Sequence, residues 1–207
     1  MNARLVWISL GLLMCSATGA LAQRVPEARV SPLPVSEWTA QDREILGRMA
    51  RGEQTIDVFK TCLKHTELCR AWMPFTQYLL SATSTLTPRD KEIAILRIAA
   101  LCKADYDWGH HVPAAERAGL SADDIARIAK GPDAPGWNEW DRTVLRAVDE
   151  LHRDAHIQDA TWKALSQRFS QKQLMDFVFT VGQYNLVSMF ANSAGIQLEA
   201  GVPKVPR

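Results

Sequence analysis

Asp105, Asp107, His110 and His111 crowd one short stretch, "ADYDWGHHVPAAERAGL" (104–120), interleaved with Tyr106 and Trp108 and followed by Pro113. These are the residue types of proton transfer or metal binding, and spacing decides which can cooperate. On a helix Asp107 and His111 are i, i+4 and share a face, whereas His110 and His111 point about 100° apart. A carboxylate one turn from an imidazole can fix its tautomer and raise its pKa, giving a proton donor and acceptor near neutral pH. The same spacing also makes an ordinary surface pair, worth about 0.2–0.5 kcal/mol. Residue types alone leave both readings open, with His110 read as packing or solvent-facing. No metal is expected: Asp107 and His111 would need further ligands, and the chain has neither His-Glu-x-x-His nor Cys-x-x-Cys.

The helix that carries the pair must accommodate Pro113, whose missing N–H frees the carbonyl of Gly109 and whose ring crowds that turn. Glycine at 109 relieves the crowding, so the sequence predicts a kink beside the histidines. Just before it, "TPRDKEIAILRIAALCK" (87–103) has Thr87 as N-cap, Pro88 at the first helical position and Asp90 at the third. Its apolar residues cover most of the circumference, which marks a helix central to the fold.

Elsewhere the period is helical too. Thr39 with Asp42 opens a helix running to about Gly52, and Ile56, Phe59, Leu63, Leu68, Trp72, Phe75 and Leu79 are spaced as one buried helical face. Ser121–Asp124 and Asn138–Asp141 begin further helices, and "SQKQ" (170–173) is a capping box for the last. Phe177 to Leu198 contains no charged residue, but Gln183, Asn185, Ser188 and Asn192 would be costly in lipid, the last three falling on one face. A buried or subunit-contacting helix is expected. No stretch alternates at period two, so the fold class is all-α, a helical bundle that forms oligomers.

Met1 to Ala22 has Arg4, an apolar run "LVWISLGLLM" and "ALA" before Gln23, the pattern of a removable secretion signal. A periplasmic or secreted protein is expected, with an extended proline-bearing arm over 23–38, one domain over 39–199 and a tail over 200–207. Basic residues number 24 and acidic 23; loss of Arg4 makes them equal, which argues against nucleic acid or an anionic membrane as partner and leaves a small-molecule substrate. Cys62, Cys69 and Cys102 remain after removal of Cys15, an odd number without a disulfide framework. On a straight helix Cys62 and Cys69 lie roughly 10 Å apart, so they pair only if a bend brings them together. His152 and His156 are read as capping a helix end.

"LTPRDKEIAILRIAAL" followed by "ADYDWGHHVPAAERAGLS", with "DELHRDAHIQDATWKALSQRFSQKQLMDFVFTVGQYNLVSM" (149–189), resembles the carboxymuconolactone decarboxylase family, which includes alkylhydroperoxidase-like proteins. The resemblance implies an all-helical subunit assembling into homotrimers or homohexamers, with sites near subunit contacts. The peroxidase branch uses a Glu, then Cys-x-x-Cys-x-x-x-His. Here Glu92 falls at the Glu position and His111 at the His position, but the cysteine positions hold Ala104 and Asp107, so the thiol cycle has no thiols at this site. The decarboxylase branch needs no cofactor. By that resemblance His111 is the expected general acid/base, Asp107 its orienting carboxylate and Glu92 a second acid or substrate-facing partner. His110, Tyr106, Trp108 and Arg97 are the expected pocket or carboxylate-binding residues, Arg97 through bidentate pairing.

Overall fold

The computed structural model describes residues 25–206, and the expected signal segment 1–22 lies outside them. Among the described residues every regular element is helical: α1 (Ala40–Leu46), α2 (Asp57–Cys62), α3 (Thr66–Leu79), α4 (Pro88–Leu101), α5 (Asp105–Arg117), α6 (Ala122–Lys130), α7 (Glu139–Asp154), α8 (Asp159–Leu165) and α9 (Gln171–Ala194). No described helix is long and apolar enough to cross a membrane.

Local chemistry sets most of the helix starts. Thr39, Thr87, Ser121, Asn138 and Ser170 each accept a hydrogen bond from the N–H three residues on, and Pro88 occupies the first turn of α4. The first helix is shorter than the sequence suggests. It stops at Leu46, because Gly47 adopts φ +52° and the chain continues in 3-10 turns. The apolar face expected from Ile56 to Leu79 is also interrupted: a 3-10 turn over Leu63–His65 separates α2 from α3 and leaves Leu68 exposed.

Two apolar clusters result. The larger surrounds α4, whose residues Asp90 to Ala99 are all buried, and is closed by α5 to α9. The smaller joins α1, α2 and α3 to Tyr106 of α5 and to Val187, Ala191 and Ala194 of α9. The segment expected as an arm lies against the domain: the N–H groups of Arg29 and Val30 donate to the Ala194 carbonyl at 2.8 and 3.1 Å, and Leu33 N–H donates to Lys60 O at 3.1 Å. At the other end the C-terminal residues cross α5. A Cβ on Gly109 would lie 2.5 Å from Val202 Cγ1 and 2.7 Å from the Pro203 carbonyl. Position 109 is therefore glycine because the tail passes over it, a reason absent from the Pro113 argument. The helix itself runs unbroken through Pro113.

Candidate functional site

Four helices converge on His111. From α4, Glu92 Oε2 lies 2.8 Å from His111 Nδ1 on α5. From α9, the Tyr184 ring packs edge-on to the imidazole at 4.8 Å between centroids and 87° between planes. One turn before His111, Asp107 accepts a 2.7 Å hydrogen bond from Ser188 Oγ, also on α9. From α3, Thr76 Oγ1 accepts from Gln183 Nε2 at 3.0 Å. Of these helices α4, α5 and α9 are fixed by the larger core and α3 by the smaller one, so the polar groups are held by the packing of helices rather than by loops.

Burial and charge set the protonation of this group. Desolvation penalises the His111 cation, yet the Glu92 carboxylate, by charge and by hydrogen bond, with Asp107 behind it, outweighs that penalty and raises the imidazole above its ordinary value. Asp107 is pushed up to about 6 by burial, against the lowering effects of Ser188 and His111. Burial, followed by the charges of Glu92 and Asp107, drives the Tyr184 phenol well up. His111 is thus an acid that keeps its proton to higher pH than a solvated histidine. With Glu92 accepting from Nδ1–H, Nε2 is the ring nitrogen left to exchange a proton with a ligand.

A cavity of about 250 Å³ opens on these groups. Asp107, His110, His111, Gln183 and Tyr184 form its polar side, while Ile56, Phe59, Trp72, Leu80 and Val187 supply an apolar side. Arg51 stands at its edge as an exposed cation. The Trp72 indole N–H is buried without a hydrogen-bond partner, which leaves a donor for an acceptor atom of a ligand. Among the described residues no group of three or more His, Cys, Asp or Glu side chains is placed to hold a metal ion.

The residues singled out from sequence divide into two sets. His111, Asp107, His110 and Tyr106 line the cavity, and Glu92 bonds His111 from behind. The carboxylate that holds the imidazole is Glu92, not Asp107 as the i, i+4 spacing suggested; Asp107 instead bonds Ser188 and acts on His111 through charge. Tyr106 packs its ring on His110 at 4.5 Å and accepts Val58 N–H at 3.0 Å, and His110 Nε2 lies 3.0 Å from Glu199 of the tail.

Trp108 and Arg97 lie elsewhere. Trp108 is 1 % exposed inside the larger core and does not line the cavity. Arg97 forms a bidentate pair with Asp149, at 2.6 and 2.8 Å, and its Nη1 donates to the carbonyls of Ile128 and Ala129, which end α6. Four of its N–H groups hold α4, α6 and α7 together, and it does not line the cavity.

Sequence reasoning missed Tyr184, Ser188, Trp72 and the 49–59 wall. Only α9 offered a signal, since polar residues in an uncharged helix need partners. Those partners differ by residue, although Asn185, Ser188 and Asn192 had been placed on one face. Ser188 turns to Asp107, whereas Asn185 Oδ1 accepts from Cys102 Sγ at 3.2 Å and Asn192 Nδ2 donates to Cys102 O at 3.0 Å.

Residues 66–150 match the carboxymuconolactone decarboxylase family. No curated protein matches the sequence. Solved structures share the fold at low identity. The alkylhydroperoxidase AhpD core, an uncharacterized peroxidase-related protein from Ralstonia eutropha, superposes with a TM-score of 0.70 at 17% identity, over 84% of this chain and 98% of that one. A putative antioxidant defence protein AhpD from Agrobacterium tumefaciens gives 0.62 at 21% identity, over 67% and 95%. The debrominase Bmp8 gives 0.66 at 17% identity, over 83% and 92%.

Proposed function

We propose that the chain is a cofactor-free acid/base enzyme acting on a small unsaturated carboxylic acid or lactone, by decarboxylation or isomerisation, in line with the match of residues 66–150 to the carboxymuconolactone decarboxylase family. The observation that carries this reading is the 2.8 Å Glu92–His111 bond beside a cavity that also receives Asp107. In the decarboxylation, the bond to the carboxylate carbon breaks, carbon dioxide leaves, and its electron pair passes into a conjugated dienolate. His111 then delivers a proton from Nε2 to carbon, and the imidazolium left by solvent reprotonation is again stabilised by Glu92. Isomerisation uses the same nitrogen first as base and then as acid. Ile56, Phe59 and Trp72 exclude water around the delocalised intermediate, and Arg51 and the Trp72 N–H offer contacts to its oxygens.

Thiol chemistry has little support at this site, where Ala104 and Asp107 occupy the family's cysteine positions and no cysteine lines the cavity. The test is to screen the purified protein against unsaturated lactones and hydroperoxides, with and without a dithiol reductant. Turnover of a lactone or acid that survives iodoacetamide and disappears in His111→Gln supports the reading. Peroxide turnover that requires dithiol and is lost to iodoacetamide replaces it.

We further propose that the protein works as a homotrimer or homohexamer exported through its N-terminal signal. Met175, Phe179, Leu186 and Met189 are exposed along α9, an apolar stripe that a second copy would cover. Light scattering of the wild type against Phe179→Glu tests this, with a monomer expected only for the variant. A wild-type monomer removes the proposal.

A further inference from the structure

The C-terminal residues form a strap over α5. Leu198 and Val202 lie against Gly109, and Val205 is buried in the larger core with its N–H donating to Asp105 Oδ1 at 3.2 Å. Between these anchors the Val202 N–H donates to the Glu199 carbonyl at 3.3 Å, closing a turn in which Gly201 adopts φ +83°. The turn sets the Glu199 side chain beside α5, where its Oε2 lies 3.0 Å from His110 Nε2. A carboxylate only accepts, so Nε2 carries the hydrogen of this bond in the neutral ring as in the cation.

The contact continues past His110. Its ring packs on Tyr106 at 4.5 Å between centroids, and the Tyr106 hydroxyl accepts the Val58 N–H at 3.0 Å. Val58 is the second residue of α2, and the first N–H groups of a helix have no partner within it. A side-chain oxygen just before the helix commonly takes one of them, but that position holds Ile56, which has none to offer. The cap of α2 therefore comes from α5. Tyr106, His110 and Val58 all line the cavity, so one chain of contacts runs from the strap through its polar side to its apolar side.

We propose that Glu199 is a positioning residue, which through His110 and Tyr106 holds the start of α2 and with it the apolar wall of the cavity. Glu199 does not itself line the cavity. With the carboxylate in place the imidazole has one orientation, the phenol packs against a fixed ring, and its oxygen stays on the α2 N-terminus. Without it the imidazole turns about its side-chain bonds, the phenol loses a fixed neighbour, and the first turn of α2 opens more often. The effect on a ligand is exerted through the shape of the apolar side, while Glu92 and His111 keep their own bond. Removing the carboxylate does not threaten the fold, because the Glu199 side chain is 42% exposed and His110 Nε2 can turn to water.

Amide hydrogen exchange at Val58, followed by NMR on the isotope-labelled protein, reads the far end of this chain of contacts without an assay of activity. Glu199→Ala should speed exchange at Val58 by roughly threefold to tenfold, the range of one hydrogen bond, with residues 93–99 of α4 unchanged. Glu199→Gln keeps an acceptor and should stay close to wild type. In a Tyr106→Phe background the Val58 N–H has already lost its partner, so Glu199→Ala should add nothing there. Equal exchange in Glu199→Ala and wild type, or the same increment with and without the Tyr106 hydroxyl, overturns the proposal. The kinetic consequence rests on the acid/base reading above. With the substrate from the screen, Glu199→Ala should raise KM within the same factor and leave kcat and Tm near wild type, and Glu199→Gln should restore KM. A fall in kcat at constant KM overturns the role in positioning the wall. If no substrate turns over, the acid/base reading falls, and exchange at Val58 still decides whether the strap holds α2.

Discussion

Two walls meet at the cavity and are built by different means. The α4–α5–α9 side consists of long helices whose polar side chains pair across helix boundaries, Glu92 with His111 and Asp107 with Ser188, behind a large core that leaves them no alternative partners. The opposite side is made mostly of short pieces, the six residues of α2 and 3-10 turns, joined by Trp72 and Thr76 of α3 and held by a smaller cluster. A proton-transfer group needs fixed distances and a low dielectric, which long packed helices provide. A wall that selects a substrate needs shape, and short segments change shape with few compensating changes elsewhere. The comparison therefore assigns chemistry to the first wall and selection to the second.

The largest effect should come from the first wall. His111→Gln removes the proton carrier and should lower kcat by roughly 10²–10⁴-fold, with the Tm nearly unchanged, measured on whichever lactone or acid the substrate screen identifies. A loss below tenfold would move the chemistry off this wall and break the division.

Asp107→Asn probes the dryness of the same wall through stability. Asp107 has a folded pKa of about 6, above its ordinary 3.8, so the fold favours its protonated form. Its contribution to stability is complete below about pH 4 and is lost as pH rises through 6, where a buried carboxylate must ionise. Asparagine keeps an acceptor for Ser188 and cannot ionise. The variant should therefore match wild type near pH 4 and exceed it near pH 8, by up to about 3 kcal/mol, read from denaturant unfolding at the two pH values. Equal stability at both would show a wall open to water.

How much of this was legible in the sequence follows from the same contrast. The caps at Thr87, Ser121, Asn138 and Ser170 are local, three-residue signals, and they gave the helices of the large core nearly as found. The cavity face of α5 was legible because i, i+4 spacing is a property of one helix. Which carboxylate holds His111 was not, because Glu92 comes from a different helix and only packing decides that α4 presents it there. Arg97 and Trp108 failed for the same reason: a residue's face on its own helix does not say what lies opposite, and Asp149 and the core lay opposite them. The second wall was the least legible. Its apolar spacing continues through Leu63–His65 although the helix does not, so the turn that shapes the wall is silent in the periodicity.

Glu92→Gln sharpens the assignment within the first wall. Glutamine can still bond the imidazole but carries no charge, so burial acts on His111 against the Asp107 charge without that of Glu92, and its pKa falls. For a reaction limited by His111 as acid, the wild-type rate should decline only above the ordinary histidine value of about 6.5. The variant's decline should begin at lower pH than the wild type's, with a lower rate at neutral pH. An unmoved alkaline limb would make Glu92 a brace without electrostatic effect.

The smallest effect should come from Trp72→Phe, and it bears on the second wall. The indole N–H has no partner in the unliganded protein, so its removal breaks no existing hydrogen bond and keeps most of the ring that packs against Phe59 at 6.1 Å. Stability should change little. If the wall selects the substrate by meeting an acceptor atom there, KM should rise by roughly threefold to tenfold, the range of one neutral hydrogen bond, while kcat and its pH dependence stay fixed. That combination separates the walls, since every substitution around His111 should act on kcat or on its pH profile. A fall in kcat at constant KM would mean that Trp72 acts on the reacting atoms, and the apolar side would then share the chemistry that the comparison gives to the bundle alone.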